Sequence, residues 1–336
     1  MVQSLLVLLL MGLSLSGNKA DSSSSSSAER SAADSGTAKR AIKRPPWLDL
    51  TKADWPSFNW EAELAEARYG LANRPADRLR VVTWNVWFDD FYILQRHDAI
   101  MKESLVLSPD FICFQEVLPE FAKALREHAG LNELYDISPF RIEGYGVIML
   151  ASKDLRVDFG QNEFPTRMGR SLLHATAHAR LPGVVVATAH LESMNSRSYR
   201  KQQLEVAANY LRGAERAVIC GDFNFDDRKS WGDWQRSVPL LPPEELENHV
   251  LEEVLPDFVD TFLEFGHDEE TRWTFDGTRN PVCVRDSGER MRYDRLMAKG
   301  LRAQSYRMLG EAAINDQGVR PSDHYGLTVD MAWPLV

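Results

Sequence analysis

Short runs of apolar and β-branched residues divide the central part of the chain into predicted strands. Residues 79–84, 110–114, 184–189 and 217–220 form nearly continuous apolar runs, which is typical of strands buried on both faces. Residues 173–180 alternate instead, with leucine and alanine on one face and mainly polar residues on the other. The pattern therefore predicts a sheet structure with most of its strands in the interior.

Apolar residues at helical spacing lie between these runs. Leu204, Ala207 and Leu211 share one face of a predicted amphipathic helix over residues 198–212. Further helices are predicted near residues 93–107 and across residues 244–265, the latter with a break at Pro256. Strands and helices intermix without a strict strand–helix–strand rhythm. The sequence therefore predicts an α/β (α+β) fold in which two sheets pack together and helices flank them.

The chain is acidic and otherwise ordinary in composition. It is 44% hydrophobic and 26% charged, with a net charge of −10. This charge argues against a protein that coats nucleic acid, because such binding requires many basic residues to neutralise phosphates. It is compatible with an enzyme that binds one end of a nucleic-acid strand through a local basic cluster. Five residues are candidates for that cluster, with a solvated surface as the alternative: Arg167, Arg170, Arg197, Arg200 and Lys201.

The N-terminal residues predict a tail and a docking segment. Residues 2–15 are apolar but too short to span a bilayer, and would suit the hydrophobic part of a signal peptide. If residues 1–17 are a signal peptide, the protein enters the secretory pathway; otherwise we expect the nucleus or cytoplasm, without stable membrane association. The polar, serine-rich remainder of residues 1–44 is predicted to be disordered. Residues 45–78 contain aromatic residues and a predicted helix at 61–69, which indicates a segment docking onto a domain at 79–336: Trp47, Trp55, Phe58 and Trp60.

The three cysteines do not form a recognisable ligand pattern. Cys113 and Cys220 lie within apolar strands, where a thiol behaves as a small hydrophobic group, and Cys283 has no paired spacing with either. No CxxC or HExxH pattern occurs in the chain. A zinc site is therefore not expected, and a reducing compartment is the simpler interpretation.

Five short polar segments contain the candidate chemistry. Four of them end a predicted strand, so their side chains are expected to converge at one edge of the sheets. Together they supply carboxylates, carboxamides and two imidazoles, which could hold one hard divalent cation and position a water against phosphorus. The segments are TWN at 83–85, QE at 115–116, AHLES at 189–193, GDFN at 221–224 and SDH at 322–324.

These segments and their order resemble the endonuclease/exonuclease/phosphatase superfamily. The resemblance implies a four-layer α/β sandwich of two mixed sheets flanked by helices, as in deoxyribonuclease I. Residues 164–170, 274–281, 292–295 and 321–327 further resemble the branch of 5′-tyrosyl-DNA phosphodiesterases. Over residues 79–329 the resemblance implies hydrolysis of a phosphotyrosyl bond at a DNA 5′ end. The implied cofactor is Mg²⁺, with Mn²⁺ as a substitute.

Glu116 is the best candidate for the metal ligand. It stands at the end of a predicted strand, and Mg²⁺ needs only one or two protein carboxylates because it keeps several waters. The resemblance also implies this role, and it matches Asn85 to the metal- and phosphate-site asparagine of the family. Asp323 is expected to assist with the metal or its water. The alternatives are a surface or capping glutamate and a turn asparagine.

Five residues are candidates for the catalytic group. Asp222 fits a carboxylate that receives the proton of the nucleophilic water, and Asn224 is expected to hold a phosphate oxygen. His324 is expected to stabilise the pentacovalent phosphate as imidazolium. The resemblance implies that Asp294 fixes this histidine, which would raise its pKa. His190 is expected to donate to a phosphate oxygen. The alternatives are a self-capped Gly-Asp-x-Asn turn and a structural histidine at a strand end.

Contacts with the substrate are assigned to a second group. Ser193 matches a family hydroxyl near the same site, and Arg170 belongs to the basic cluster. Tyr145, Phe275 and Trp273 could place aromatic surfaces against a base or the tyrosyl leaving group. The alternative for these three aromatic residues is a place in the core.

Two positions depart from the branch. Trp87 stands where an aspartate is frequent, which removes an outer carboxylate unless Asp89 or Asp90 replaces it. Asp226 stands where a basic contact to DNA is common. The remaining histidines match no motif and are expected to be structural or exposed: His97, His128, His174, His178, His249 and His267.

The sequence therefore favours a magnesium-dependent phosphodiesterase that acts as a monomer on the tyrosyl-modified 5′ end of a nucleic acid. Within the superfamily, a less selective nuclease or a phosphodiesterase for RNA or a lipid head group remains an alternative. An inactive binding scaffold is the alternative from another class. A scaffold would not need the five residues of the proposed site, all of which are present: Asn85, Glu116, Asp222, Asn224 and His324.

Overall fold

The computed structural model describes residues 58–233, 241–265, 268–283 and 288–333. The strands of this part are β1 (Arg78–Asn85), β2 (Phe111–Val117), β3 (Tyr135–Ile137), β4 (Gly146–Ser152), β5 (Val157–Glu163), β6 (Ser171–Ala177), β7 (Val184–His190), β8 (Arg216–Asp222), β9 (Val259–Asp260), β10 (Phe275–Asp276), β11 (Arg290–Met291), β12 (Asp294–Lys299), β13 (Arg302–Leu309) and β14 (Gly326–Ala332). The helices are α1 (Glu61–Ala72), α2 (Ile93–Leu105), α3 (Pro119–Glu127), α4 (Ala129–Leu134), α5 (Arg197–Leu211), α6 (Val250–Val254) and α7 (Thr261–Phe265).

Two six-stranded mixed sheets form the centre of the fold. The first has the order β13-β14-β1-β2-β4-β3, and the second has the order β5-β6-β7-β8-β12-β9. Each sheet contains one parallel pair, β1 with β2 and β7 with β8, whereas the flanking pairs are antiparallel. Helix α2 connects the first parallel pair and α5 connects the second, as a parallel connection requires a crossover. The ends of both parallel pairs carry the polar segments identified in the sequence.

The core is arranged in layers around these sheets. Val81 and Val218 belong to a buried layer between the two sheets. On its outer face the first sheet packs Trp84 and Phe114 into a cluster that includes helix residues. On the outer face of the second sheet, Leu204 of α5 packs with buried strand residues. The prediction of a four-layer α/β sandwich with two mixed sheets is therefore confirmed.

Most of the predicted elements form close to their expected positions. The buried runs become β1, β2, β7 and β8, and the first two predicted helices become α2 and α5. The alternating run at 173–180 ends earlier than expected, since β6 stops at Ala177. Its alternation is real, because Ala175 and Ala177 face the inter-sheet layer and Leu172 faces the opposite side.

The predicted break at Pro256 is confirmed, but the prediction of helix over the rest of residues 244–265 is largely wrong. This region forms two 3₁₀ turns, the short helices α6 and α7, and strand β9 between them. Pro256 disfavours helical backbone at Leu255, whose φ and ψ are −123° and 51°. Asp260 of β9 then pairs with Met297 of β12, so hydrogen bonds at the sheet edge replace those of a helix.

The segment before β1 packs on the domain. The predicted helix at 61–69 is confirmed as α1. Trp60 is fully buried, its Nε1 donates a 2.9 Å hydrogen bond to Asp98, and its ring stacks on Phe58 at 4.9 Å. Trp47, Trp55 and the predicted signal peptide and tail lie outside the described residues. No helix among the described residues is long and apolar enough to cross a membrane.

Candidate active site

The polar ends of the two parallel strand pairs meet between the sheets. Asn85 is the last residue of β1 and Asp222 the last residue of β8, and Asn85 Nδ2 donates a 3.0 Å hydrogen bond to Asp222 Oδ2. Below them, Gln115 Nε2 donates 3.1 Å hydrogen bonds to Thr83 of the first sheet and Thr188 of the second. The expected convergence of the polar segments at one edge is thus observed across both sheets.

Unusual backbone conformations present the first-sheet residues to this edge. The pairing of β2 with β4 shifts register between Phe114 and Val117, and Glu116 within this irregularity has a φ of 59°. Trp87 has a φ of 57°. Non-glycine residues rarely adopt such angles unless the surrounding structure holds them there, and they are frequent at functional sites. The bulged geometry therefore places Glu116 where a regular strand would not.

Asp222 is the central acceptor of the site. It is 2% exposed, and its Oδ1 accepts a 2.9 Å hydrogen bond from the backbone N–H of Asn224. Its Oδ2 accepts from Asn85 and lies 3.3 Å from Nε2 of His190 and 3.9 Å from Nε2 of His324. Burial, more than any neighbouring charge, raises the pKa of Asp222 to about 6. A carboxylate of this kind can both accept a proton and release it near neutral pH.

Arg170 determines which nitrogen of His190 carries the proton. Arg170 Nη1 lies 2.9 Å from His190 Nδ1, and a guanidinium can only donate. Nδ1 is therefore the acceptor, and the proton of the neutral ring is on Nε2, facing Asp222. Burial, followed by the charges of Arg170 and His324, lowers the pKa of His190 well below its ordinary value. His190 is thus a neutral hydrogen-bond donor.

The same arginine contacts two other residues that were predicted to bind the substrate. Arg170 Nη2 donates a 3.0 Å hydrogen bond to Ser193 Oγ, and its guanidinium lies 5.0 Å from the centre of the Tyr145 ring. The Tyr145 ring in turn lies 6.4 Å from that of His190. The structure therefore brings Arg170, Ser193 and Tyr145 to the side of the site that is formed by β7.

His324 and Asp294 form a close pair on the opposite side. His324 Nδ1 lies 2.8 Å from Asp294 Oδ2, and Trp84 Nε1 donates a 3.0 Å hydrogen bond to the His324 carbonyl. Asp294 is also the register partner of Asp222 across β12 and β8. Burial by itself lowers the pKa of this imidazole, but the carboxylates of Asp294 and Asp222 outweigh it and raise the pKa of His324 well above its ordinary value. His324 is therefore an imidazolium.

Two clusters of ligand atoms must be distinguished when a metal position is considered. Asp222, Asp294 and His324 each offer one atom within 4.8 Å of the others. A protonated imidazole cannot coordinate a metal, and Mg²⁺ prefers oxygen ligands. This cluster is better described as an imidazolium held between two carboxylates.

The residues around Glu116 fit a hard cation better. Burial and then the nearby Asp323 carboxylate raise the pKa of Glu116 to about 7, and burial also raises the pKa of Asp323. The nearby Asn85 side chain acts in the opposite direction on the pKa of Glu116, and Glu116 Oε2 accepts a 3.2 Å hydrogen bond from the Phe88 N–H. Carboxylates whose charge is destabilised in this way are stabilised by a divalent cation. The donor set therefore suits Mg²⁺.

Two hydrogen bonds hold Asn224 in the loop after β8. Its backbone caps Asp222, and its Nδ2 donates a 3.0 Å hydrogen bond to the Leu191 carbonyl. The residue also has a φ of 59°. The self-capped turn that was an alternative in the sequence is thus present. It does not exclude catalysis, because the second Nδ2 hydrogen is not needed for the Leu191 bond.

Of the aromatic residues predicted to contact substrate, Trp273 is buried. It is 4% exposed and is surrounded by Lys229 at 4.0 Å, Arg290 at 4.9 Å and Arg272 at 5.4 Å from its ring centre. The expectation of a substrate surface is corrected accordingly, since cation–π contacts with protein side chains cover this ring. Phe275 is also buried, but it differs in meeting His324 edge-on at 5.2 Å, so it lies beside the site.

The members of the predicted basic cluster have different surroundings, and Arg200 is buried in the interior. Arg200 is 1% exposed, donates bonds of 2.6 and 2.7 Å to Glu247, and also donates to the carbonyls of Glu192 and Met194. Lys201 pairs with Glu253. Arg197 and Arg167 bind the Glu245 carbonyl and the Tyr199 hydroxyl, respectively. The spacing of Arg200 from Leu204 and Leu211 already places it on the apolar face of α5.

The two departures from the branch have structural explanations. Trp87 is 8% exposed, and the guanidinium of Arg96 lies 4.5 Å from its ring centre. Asp89 Oδ1 accepts a hydrogen bond from the Phe91 N–H and so caps a local turn. Asp226 is fully buried and accepts bonds from the N–H groups of Arg228 and Arg292. This position is therefore part of the interior and not of a DNA-binding surface.

Two supporting residues were not identified from the sequence. Arg96 is fully buried and donates to the carbonyls of Val86 and Pro321, so it connects the loop after β1 to the loop before Asp323. Asn280 Nδ2 donates a 2.8 Å bond to the Ser322 carbonyl. A charged residue on the apolar face of α2 was the available signal for Arg96.

The histidines without a motif are distributed as expected. His97 and His174 are buried, and His174 bonds to Asn162 at 2.9 Å. His128 accepts from the Leu131 N–H at the start of α4. His178 Nε2 lies 2.7 Å from the exposed Asp158 carboxylate and His249 Nδ1 lies 3.1 Å from that of Glu252, and His267 lies outside the described residues.

A comparison with known families defines the class of this protein. Residues 82–324 match the model of the Endonuclease/Exonuclease/phosphatase family, and the chain belongs to that family. The match spans every segment of the site, from the β1 strand to His324. The resemblance predicted from the sequence is therefore confirmed.

Two named relatives are similar to this chain over most of its length. The chain is 29% identical to Tyrosyl-DNA phosphodiesterase 2 of Gallus gallus over 265 residues, which cover 74% of this chain and 65% of that protein. It is 27% identical to Tyrosyl-DNA phosphodiesterase 2 of Rattus norvegicus over 302 residues, or 85% of this chain and 74% of that protein. The chain thus spans slightly less than two thirds of the Gallus gallus relative.

Solved structures show the same fold. The crystal structure of D. rerio TDP2 complexed with single strand DNA product has a TM-score of 0.62 at 22% identity, covering 76% of this chain and 98% of that one. The structure of TDP2 from C. elegans has a TM-score of 0.62 at 19% identity, covering 88% and 100%. The catalytic domain of human Nocturnin has a TM-score of 0.54 at 16% identity, covering 77% and 95%.

Proposed function

We propose that this protein is a metal-dependent phosphodiesterase that hydrolyses the phosphotyrosyl bond at a DNA 5′ end and leaves a 5′-phosphate. The observation that carries the proposal is the arrangement around Asp222, which contacts Asn85 and His190 and lies opposite the His324–Asp294 pair. The substrate class is supported by the relatives, which are named Tyrosyl-DNA phosphodiesterase 2.

We assign the metal position to Glu116, with Asn85 and Asp323 beside it. Mg²⁺ is the proposed ion, and Mn²⁺ is expected to substitute for it. When bound, the ion supplies positive charge that stabilises the negative charge developing on the phosphate oxygens. Arg96 and Asn280 hold the loops that carry these residues, so their role is to position the ligands.

Asp222 is the proposed general base. The hydrogen bonds from Asn85 and from the Asn224 backbone fix both carboxylate oxygens, which orients a lone pair toward the attacking water. The water proton passes to Asp222 as the oxygen attacks phosphorus. His190, neutral and protonated on Nε2, donates a hydrogen bond next to this carboxylate, and Asn224 is proposed to bind a phosphate oxygen.

His324 is proposed to stabilise the transition state. Its imidazolium is held by Asp294 and directs Nε2 toward Asp222, so its charge lies where the pentacovalent phosphate would form. The P–O bond to tyrosine breaks and the phenolate leaves. Because phenolate is a good leaving group, no strong acid is required. Phe275 beside His324, and Tyr145 with Arg170 and Ser193 on the other side, are the proposed substrate contacts.

The test uses two oligonucleotides that differ only at the 5′ end. One carries a 5′-phosphotyrosyl group and the other a plain 5′-phosphate, and a nitrophenyl phosphodiester serves as a generic substrate. We expect rapid release of tyrosine from the first and little cleavage of the second. Equal cleavage of both would indicate a less selective nuclease. Turnover of the generic ester alone would favour an RNA or lipid head-group enzyme, and no turnover of any substrate would favour a binding scaffold.

A further inference from the structure

Two of the three cysteines face each other in the layer between the sheets. Cys113 lies in β2 of the first sheet and Cys220 in β8 of the second, and both are fully buried in the same apolar cluster. Cys220 Sγ donates a 3.6 Å hydrogen bond to the Ala187 carbonyl, and the raised pKa of Cys113 has burial and then the neighbouring Cys220 thiol among its causes. All three cysteines of the chain are present as free thiols.

The strands that carry this pair approach each other closely. Thr83 is the register partner of Cys113 and Thr188 is that of Cys220, and Gln115 bonds to both threonines. Residues of β2 and β8 come within 8 Å of each other between Cα atoms. Packed sheets are ordinarily about 10 Å apart, and a disulfide requires a Cα separation of roughly 4.4–6.8 Å. The two strands that carry the cysteines therefore approach more closely than strands of ordinary packed sheets.

We propose that Cys113 and Cys220 form a disulfide that joins the two sheets when the chain folds in an oxidising environment. The oxidant is a small-molecule disulfide. One cysteine thiolate attacks it, releases one small thiol and forms a mixed disulfide. The second cysteine thiolate then attacks the protein-bound sulfur and releases the other small thiol. Two protein thiols are oxidised and one small disulfide is reduced to two thiols.

The bond would form during folding and not afterwards. Burial, followed by the neighbouring Cys220 thiol, raises the pKa of Cys113 well above its ordinary value, so the folded protein contains little of the reactive thiolate. The incompletely folded chain exposes both thiols. Once the sandwich closes, the same burial protects the bond from reducing agents. Buried disulfides between facing sheets are an established feature of other β-sandwiches.

The position of the bond gives it a consequence for the active site. Cys113 lies three residues before Glu116, and Cys220 lies two residues before Asp222. The cross-link would therefore connect the strand that presents the proposed metal ligand to the strand that presents the proposed base. It would oppose separation of the two sheets directly below the site.

The test is to refold the full chain from denaturant in a mixture of reduced and oxidised glutathione. We expect a mass loss of about 2 Da relative to the reduced chain, one remaining alkylatable thiol, and a cross-linked peptide pair containing residues 113 and 220. The melting temperature should exceed that of the reduced protein by about 5–15 °C. Cys113→Ala and Cys220→Ala should each abolish the mass loss, whereas Cys283→Ser should retain it.

Three free thiols after this refolding would overturn the proposal, and so would a bond that includes Cys283. The peptide map and thiol count of the unsubstituted chain decide this even if an alanine variant fails to fold. Neither readout depends on turnover, so the result is independent of the proposed enzymatic function.

Discussion

Asn85 and Asp222, which end one strand in each sheet, are joined by a 3.0 Å hydrogen bond. The two residues are separated by more than a hundred positions in the chain, and neither sheet alone contains both. The bond orients the proposed base through a residue that also contacts the proposed metal ligand. Packing of the sheets is therefore a condition for assembling the site.

Replacement of Asp222 by Asn should remove the general base while keeping its shape. Asn cannot accept a proton at neutral pH, and positioned proton transfer contributes roughly 100- to 10,000-fold in rate. We expect kcat to fall within that range with substrate affinity little changed. Turnover of a tyrosyl-linked oligonucleotide under saturating conditions measures this effect. Near-normal kcat would remove Asp222 from the mechanism.

His324→Ala should reduce kcat by a similar factor, because it removes charge stabilisation in the transition state. The double variant with Asp222→Asn should lose less than the product of the two single losses, since residues that act on one transition state are not additive. A double-mutant cycle on kcat provides the measurement. Strict multiplicativity would show that the two residues act independently.

Glu116→Gln should weaken metal binding and turnover together. The substitution removes the carboxylate charge that we assign to the metal and retains the size of the side chain. Calorimetry of Mg²⁺ binding and a Mg²⁺ titration of activity should both shift to higher concentration. Glu143→Gln is the control, because Glu143 is an exposed glutamate with a 76% exposed side chain. Activity that persists after exhaustive chelation would contradict the metal mechanism, and activity restored by zinc alone would indicate a different site.

In the metal-free protein, the stability contributed by Glu116 and Asp222 should be lost as the pH rises from about 4 to about 7. The folded-state pKa of Glu116 is about 7 and that of Asp222 about 6, both raised first by burial. These two groups therefore bind more protons in the native state than in the unfolded chain in this window, and their contribution to the free energy of unfolding falls with increasing pH. Urea unfolding in chelator at several pH values measures the slope.

Glu116→Gln isolates the contribution of one residue to that slope. A glutamine does not titrate, so the variant should lose less stability between the same pH values than the unsubstituted protein. Added Mg²⁺ should reduce the difference at pH 7, because it stabilises the charged form of Glu116. Identical slopes for the two proteins would show that the pKa of Glu116 is not raised by folding.

Arg200→Ala should destabilise the fold by about 3–5 kcal/mol, because removing one partner leaves Glu247 as an uncompensated buried charge. The neighbouring Lys201→Ala is the matched control, since its ion pair with Glu253 is exposed and such pairs contribute about 0–1 kcal/mol. Urea unfolding measures both. Equal small effects would contradict the buried position of Arg200.

A chain that begins at Pro45 should keep its melting temperature and turnover. The preceding residues lack apolar periodicity in the sequence, so we do not expect them to bury enough surface to offset the entropy of ordering them. Trp60→Ala is the contrasting variant, because Trp60 is fully buried and its loss should lower stability by about 3–5 kcal/mol. A large loss in the shortened chain would show that the tail packs on the domain.

The parts of the fold that were predictable from the sequence are those governed by local pattern. The run before Asp222 is apolar on both faces, and the structure makes it a central strand. The region 244–265 was mispredicted because its helical spacing is local, whereas the pairing of Asp260 with Met297 is not.

The same distinction applies to the site. The positions of Asn85, Glu116 and Asp222 followed from strand ends and motif order. The burial of Trp273 did not, because Lys229 and Arg290 reach its ring from segments distant in sequence. The tautomer of His190 was not predictable either, because it depends on a contact with Arg170, which precedes a different strand. The spacing of residues along the chain does not indicate this contact.

Because each sheet contributes half of the site, catalytic rate reports on the contact between the sheets. A displacement of a few tenths of an ångström would stretch the bond between Asn85 and Asp222 while the hydrogen bonds within each sheet remain intact. Heating that loosens the interior should therefore inactivate the molecule before circular dichroism detects any loss of strands. Turnover is thus the more sensitive reporter of early unfolding.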